Sequence, residues 1–141
     1  MSLEEIGRFF GSVPIPPHRL RLFEKLKKYV ERLRTLQIGI ALIVDGSFIM
    51  PCVEMPADID LILVMPKEWE KTIEKIPPEH YNLLSPIKVE AEFEGMHLFV
   101  VAEHSREYHG WIRYFSHIRE YWKFRFSIPH DVSKGLVRVT L

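Results

Sequence analysis

A single domain of the α/β class, α+β in type, is predicted by three features of this sequence. An amphipathic helical pattern near the start is followed by two short, strongly apolar stretches of strand length, and an aromatic segment with helical spacing precedes a last alternating run. At 141 residues the chain has the size of one ordinary domain and can bury a core without disulfides or metals as staples.

Residues 1–17 end in Val13-Pro14-Ile15-Pro16-Pro17, where repeated prolines fix φ and remove donors, so an extended arm along the domain edge is expected. From His18 to Leu36, apolar residues fall three or four apart at Leu20, Phe23, Leu26, Val30 and Leu33, with charged residues between them, which predicts an amphipathic helix. Ile38 to Val44 reads as a buried strand entering a tight turn at Asp45-Gly46-Ser47. A second strand is expected from Asp58 to Met65. Pro66 opens a polar helical stretch to about Ile76, which Pro77-Pro78 stops. Lys88 to Phe93 alternates polar and apolar residues, Glu94-Gly95 can turn, and Met96 to Val101 is strongly apolar, which predicts a hairpin. Ser105 to Phe126 has mostly helical spacing, and Gly135 to Leu141 alternates as a final strand.

Composition excludes several classes of function. Nineteen Lys and Arg balance 19 Asp and Glu, so no global field draws the protein to nucleic acid or to an anionic membrane. The longest apolar stretch, Ile38 to Val44, is far short of the roughly 20 residues that span a bilayer. A lone cysteine, Cys52, cannot form an internal bridge, and the start of the sequence has no secretion-signal pattern, so a cytoplasmic protein is expected.

The chemistry is concentrated in Val44-Asp45-Gly46-Ser47 and in Asp58-Ile59-Asp60-Leu61. On a strand, side chains at i and i+2 share a face, so Asp58 and Asp60 project together while Ile59 and Leu61 enter the opposite layer. Two adjacent carboxylates repel unless a cation lies between them, and hard oxygen ligands suit Mg²⁺ or Mn²⁺. Gly46 leaves room for a phosphate to approach the backbone, and Ser47 adds a hydroxyl and an amide donor. The expectation is one open cleft in which Asp58 and Asp60 lie within about 6 Å of each other, with Gly46 and Ser47 on its rim. Taken singly, an ordinary turn and a solvated strand face would explain each half.

Together, a Gly-Ser turn closing one apolar strand and a carboxylate pair opening the next resemble the signature of the nucleotidyltransferase superfamily. The resemblance implies that fold, with a central mixed sheet flanked by helices. It also implies that the Gly-Ser turn holds the triphosphate of ATP or another nucleoside triphosphate, and that the paired acids hold the metals that assist transfer of a nucleoside monophosphate. A closer likeness rests on Ile43-Val44-Asp45-Gly46-Ser47-Phe48, Pro56-Ala57-Asp58-Ile59-Asp60, Tyr121-Trp122 and Lys134-Gly135-Leu136-Val137. These resemble a family of short prokaryotic nucleotidyltransferase-like proteins without an assigned substrate, suspected of roles in toxin–antitoxin or phage-defence loci. Active members of the superfamily usually carry a third carboxylate on a later strand. The aligned position here is His97, which could ligate a metal or act as a base but neutralises less charge and favours softer metals than Mg²⁺. Glu90 and Glu92, expected on the neighbouring strand, could supply the missing charge in another register.

These residues support two functions. One is metal-dependent nucleotidyl transfer to a protein or small-molecule acceptor, with Asp58, Asp60 and His97 as the catalytic set and Lys134 placing a cation near a phosphate. The other is a catalytically inactive module of the same fold that senses nucleotide or binds a partner such as a cognate toxin. Glu103, His104 and His109 lack zinc-motif spacing and read as surface or capping residues. The aromatic residues from Tyr108 to Phe126 could stack bases, and read more readily as core or as a homodimer face.

Overall fold

The central sheet has four strands in the order β3-β2-β1-β4, formed by β1 (Ala41–Asp45), β2 (Ile59–Met65), β3 (Met96–Ala102) and β4 (Val137–Thr140). β1 lies antiparallel to both β2 and β4, whereas β2 and β3 are parallel, so the sheet is mixed and the class is α+β. This is a computed structural model, and it describes residues 1–11, 17–50, 53, 55–131 and 134–141. The helices are α1 (Leu3–Ile6), α2 (Pro17–Thr35), α3 (Pro78–Leu84), α4 (Pro86–Glu92), α5 (Arg106–Ser116) and α6 (Glu120–Arg125). Among the described residues no helix is long and apolar enough to cross a membrane.

Strand alternation sorts the core into two layers. Leu42, Val44, Leu61 and Leu63 face one way, into a cluster with Leu26 and Val30 of α2. Ala41, Ile43, Ile62 and Val64 face the other way, against Phe115 of α5. α2 keeps the expected span within a residue at each end, but its buried stripe is Leu22, Leu26, Tyr29, Val30 and Leu33, led by Arg19. Leu20 is exposed.

Two expectations fail. The start of the chain is helical where an extended arm was expected. Ser2 and Glu5 form a capping box, with the Glu5 amide donating to Ser2 Oγ at 3.1 Å and the Ser2 amide to Glu5 Oε2 at 2.7 Å. A π-helical turn comes next at Gly7–Gly11; most of the proline run lies outside the described residues, and Pro17 begins α2. Lys88 to Phe93 is no hairpin strand. Because β3 is parallel to β2, the chain between them must cross over, and it does so through a 3₁₀ segment at Trp69–Lys75 and then α3 and α4. Ser85 caps α4, Pro86 occupies its first turn, and Val89 and Phe93, one helical turn apart, are the buried pair. The intervening Ala91 is exposed, which an alternating strand would not predict.

Tyr29 couples the helical layer internally. Its ring is fully buried and its hydroxyl donates to the Leu83 carbonyl at 2.7 Å, joining α2 to α3. Tyr29→Phe keeps the ring and leaves that carbonyl without its donor, so unfolding in urea is expected to show a loss of about 1 kcal/mol. An unchanged midpoint would remove this link from the account of stability.

Candidate functional site

Strand pairing places a row of chemical groups across the sheet. Asp45 on β1 is the cross-strand partner of Asp60 on β2, and Asp60 is the partner of His97 on β3. Asp58 precedes β2 and reaches the same group. His97 Nδ1 lies 3.4 Å from Asp60 Oδ1 and 3.8 Å from Asp58 Oδ2. One ligand atom from each of Asp58, Asp60 and His97 falls within 4.8 Å of the others, a spacing that one cation can span. Side-chain exposure is 35% for Asp58, 15% for Asp60 and 40% for His97, so the group is reachable from solvent.

The turn after β1 is built against this row. Gly46 has φ +88° and ψ −173°, a region that only glycine enters readily. A Cβ there would stand 3.1 Å from Asp60 Oδ2 and 3.2 Å from the Asp60 nitrogen, so any other residue would both strain the backbone and crowd the carboxylate. Ser47 then starts a 3₁₀ turn, Ser47–Ile49. The first turn of α2 secures this segment and the loop beyond it. Arg19, 1% exposed, donates to the carbonyls of Phe48 at 2.6 Å, Met50 at 2.7 Å and Val53 at 3.1 Å, and to Phe10 at 3.0 Å. His18 Nε2 meets the Pro56 carbonyl just before Asp58.

A cleft of about 320 Å³ opens between the turn, the two aspartates and the helices α5 and α6. Asp45, Gly46, Ser47, Asp58 and Asp60 line one side. Tyr114, Phe115, His117, Arg119 and Trp122 line the other, with Lys134 also in the wall. Lys134 Nζ contacts Asp45 Oδ1 at 2.9 Å, a charge contact rather than a well-directed hydrogen bond. Burial raises the Asp45 carboxyl above its ordinary range, and Lys134 opposes the rise. Burial likewise raises Asp60; the charges of Asp58 and Asp45 add to the effect, and His97 and Lys134 oppose it.

The structure therefore brings together Gly46, Ser47, Asp58, Asp60 and Lys134 around one cleft. His97 stands beside the aspartates on the β3 side and outside the cleft lining. Glu90 takes no strand position: it lies on α4, its Oε1 3.4 Å from His97 Nε2. Glu92 turns away to Arg32. His104 and His109 are exposed. Arg19 had no local sequence signal, whereas the aromatic wall falls within the aromatic-rich stretch Tyr108 to Phe126. Asp45 had one, as the lone charge closing an apolar strand.

Two measurements test this arrangement. Arg19→Met should cost at least about 3 kcal/mol in urea unfolding, because several charge-assisted hydrogen bonds disappear, and Arg19→Lys should not restore it. A loss below about 1 kcal/mol would mean that the loop holds without the guanidinium. For Asp60 the folded pKa lies above the ordinary 3.8, so its ionisation opposes folding as pH rises from that value. In EDTA, Asp60→Asn should raise Tm at pH 7, and the gain should shrink as pH falls toward 3.8. A lower Tm at pH 7 would contradict the charge crowding.

No curated protein matches the chain, and no solved structure does. A family model does match, over residues 1–140, and the chain belongs to that family, described as a family of unknown function (DUF6932).

Proposed function

We propose that this protein has the nucleotidyltransferase fold and is a metal-dependent nucleotidyltransferase, moving a nucleoside monophosphate from ATP or another nucleoside triphosphate to a protein or small-molecule acceptor. The observation that carries the proposal is the convergence of ligand atoms of Asp58, Asp60 and His97 within 4.8 Å, with the two aspartates lining the same cleft as the Gly46-Ser47 turn.

The donor set fits a divalent cation. Two carboxylates and one imidazole offer oxygen and nitrogen ligands, and the negative charge crowded around Asp60 is what a cation would offset. Asp58 and Asp60 would hold Mg²⁺ or Mn²⁺, with the His97 imidazole as the third group. When bound, the metal supplies charge neutralisation on the phosphates and on the departing pyrophosphate.

The chain's own residues do the rest. Gly46 lets phosphate oxygens approach the backbone, Ser47 offers a donor beside them, and Lys134 adds positive charge beside Asp45 in the same cleft. Held in this way, the α-phosphorus is attacked in line by the acceptor oxygen, the bond to the β-phosphate oxygen breaks, and pyrophosphate leaves. Arg19 acts at one remove by holding the carbonyls of the turn and its loop.

His97, standing where a third carboxylate would complete the acidic set, favours a second reading, in which the protein binds nucleotide without turning it over and serves as a sensor or as the partner of a toxin. Calorimetric titration of ATP and GTP with Mg²⁺, with Mn²⁺ and with EDTA tests both. Binding is expected only with a divalent cation, because triphosphate charge facing two carboxylates otherwise repels. Asp58→Asn/Asp60→Asn should abolish it while leaving the circular dichroism unchanged. Equal affinity in EDTA, or in the double variant, would refute the site. Metal-dependent binding without pyrophosphate release across candidate acceptors would select the sensor.

A further inference from the structure

The helical wall of the cleft differs in chemistry from the strand wall. The strand wall is carboxylate and backbone, whereas the wall from α5 and α6 presents aromatic rings. Within α5, the faces divide sharply. Phe115 is 8% exposed and packs at 5.3 Å from Phe99, while the adjacent Tyr114 is 63% exposed. Tyr114 is nevertheless braced edge-on by Trp111 at 5.7 Å and by Phe115 at 5.2 Å.

Trp122 on α6 is fixed in a complementary way. Phe126 stacks with it at 5.8 Å and 20°, and Met50, Val53 and Ile118 form the buried cluster against which it packs. Its remaining surface lines the cleft. Two rings from separate helices, each held by other aromatics, are thus presented to a cavity whose far side carries the phosphate turn. Rings held rigid by their neighbours lose little conformational freedom when a planar ligand stacks on them.

We propose that Tyr114 and Trp122 form a nucleobase subsite, taking the aromatic base of a nucleoside triphosphate by stacking while its phosphates lie toward Gly46 and Ser47. The inference rests on the metal and phosphate function proposed above. Stacking tolerates any base because each has a π-face, and larger rings gain more, so the subsite accepts all four bases and holds purines tightest.

Calorimetry with the full chain and Mn²⁺ separates the subsite from the phosphate site by using tripolyphosphate, which carries the charge and no base. Each nucleoside triphosphate is expected to bind about tenfold tighter than tripolyphosphate, with ATP and GTP ahead of CTP and UTP. Trp122→Ala and Tyr114→Ala should each lose most of that advantage and leave tripolyphosphate affinity unchanged. Trp122→Phe should retain it. Tyr114 is largely exposed, so Tyr114→Ala remains informative should Trp122→Ala fail to fold. If tripolyphosphate binds with metal but nucleotides bind no tighter, or if both variants weaken the two ligands equally, the subsite is overturned and the metal site stands. If neither ligand binds with metal, both proposals fall.

Discussion

Strand β2 is paired on both sides, antiparallel to β1 and parallel to β3, and the alignment of Asp45, Asp60 and His97 depends on the register of those two pairings. A slip of one residue would carry Asp60 into the layer occupied by Leu61 and Leu63 and would turn those leucines toward the cleft. Such a slip is opposed along nearly the whole strand, because residues 61–65 are buried. The acidic residues stand at the start of β2, where Ile59 is still buried but the face carrying Asp58 and Asp60 is only partly covered. The same hydrophobic pairing that fixes the core thereby fixes the row Asp45, Asp60, His97.

The helical layer serves the site through the helix that builds the core. Leu22, Leu26, Val30 and Leu33 of α2 are buried against the sheet, and the same stripe continues N-terminally as Arg19. A guanidinium with five donors is suited to gather carbonyls that a buried loop cannot pair within itself. Its partners are Phe48, Met50 and Val53, on the segment that leads from the Gly46-Ser47 turn toward Asp58. Turn, loop and core helix therefore form one mechanical unit. Movement of the turn would strip hydrogen bonds from a charge that has no water to replace them.

Net neutrality of the chain hides a strongly uneven local field. On the β3 side, Asp58, Asp60 and Glu90 surround a single imidazole. On the β1 side, Asp45 is met by Lys134, and Arg119 lies close enough to act on it. An anionic ligand entering the cleft meets positive charge at one end and needs a cation at the other. This asymmetry is the electrostatic basis for proposing a metal-bound phosphate chain, and the aromatic wall supplies the apolar counterpart.

The helix of α2, the strands at 41–45, 59–65, 96–102 and 137–140, and the neighbourhood of Asp58, Asp60, Gly46 and Ser47 were legible in the residues themselves. Each is encoded by a helical period, by an apolar run of strand length, by a two-residue alternation or by a glycine in a turn. Where two periods fit, sequence could not choose: Val89 and Phe93 suit either an alternating strand or one helical turn, and the crossover to parallel β3 settled it as helix. The N-terminal helix carries a capping box at Ser2 and Glu5, which a reading led by the prolines downstream does not take into account. What sequence by itself determined is the local chemistry: which residue types stand at i and i+2, and where the chain can turn. Tertiary structure alone decided that Arg19 clamps the turn, that Lys134 meets Asp45, and that Tyr114 and Trp122 share a cavity with the aspartates, because those partners are far apart in the chain and only the order and register of the strands bring them together.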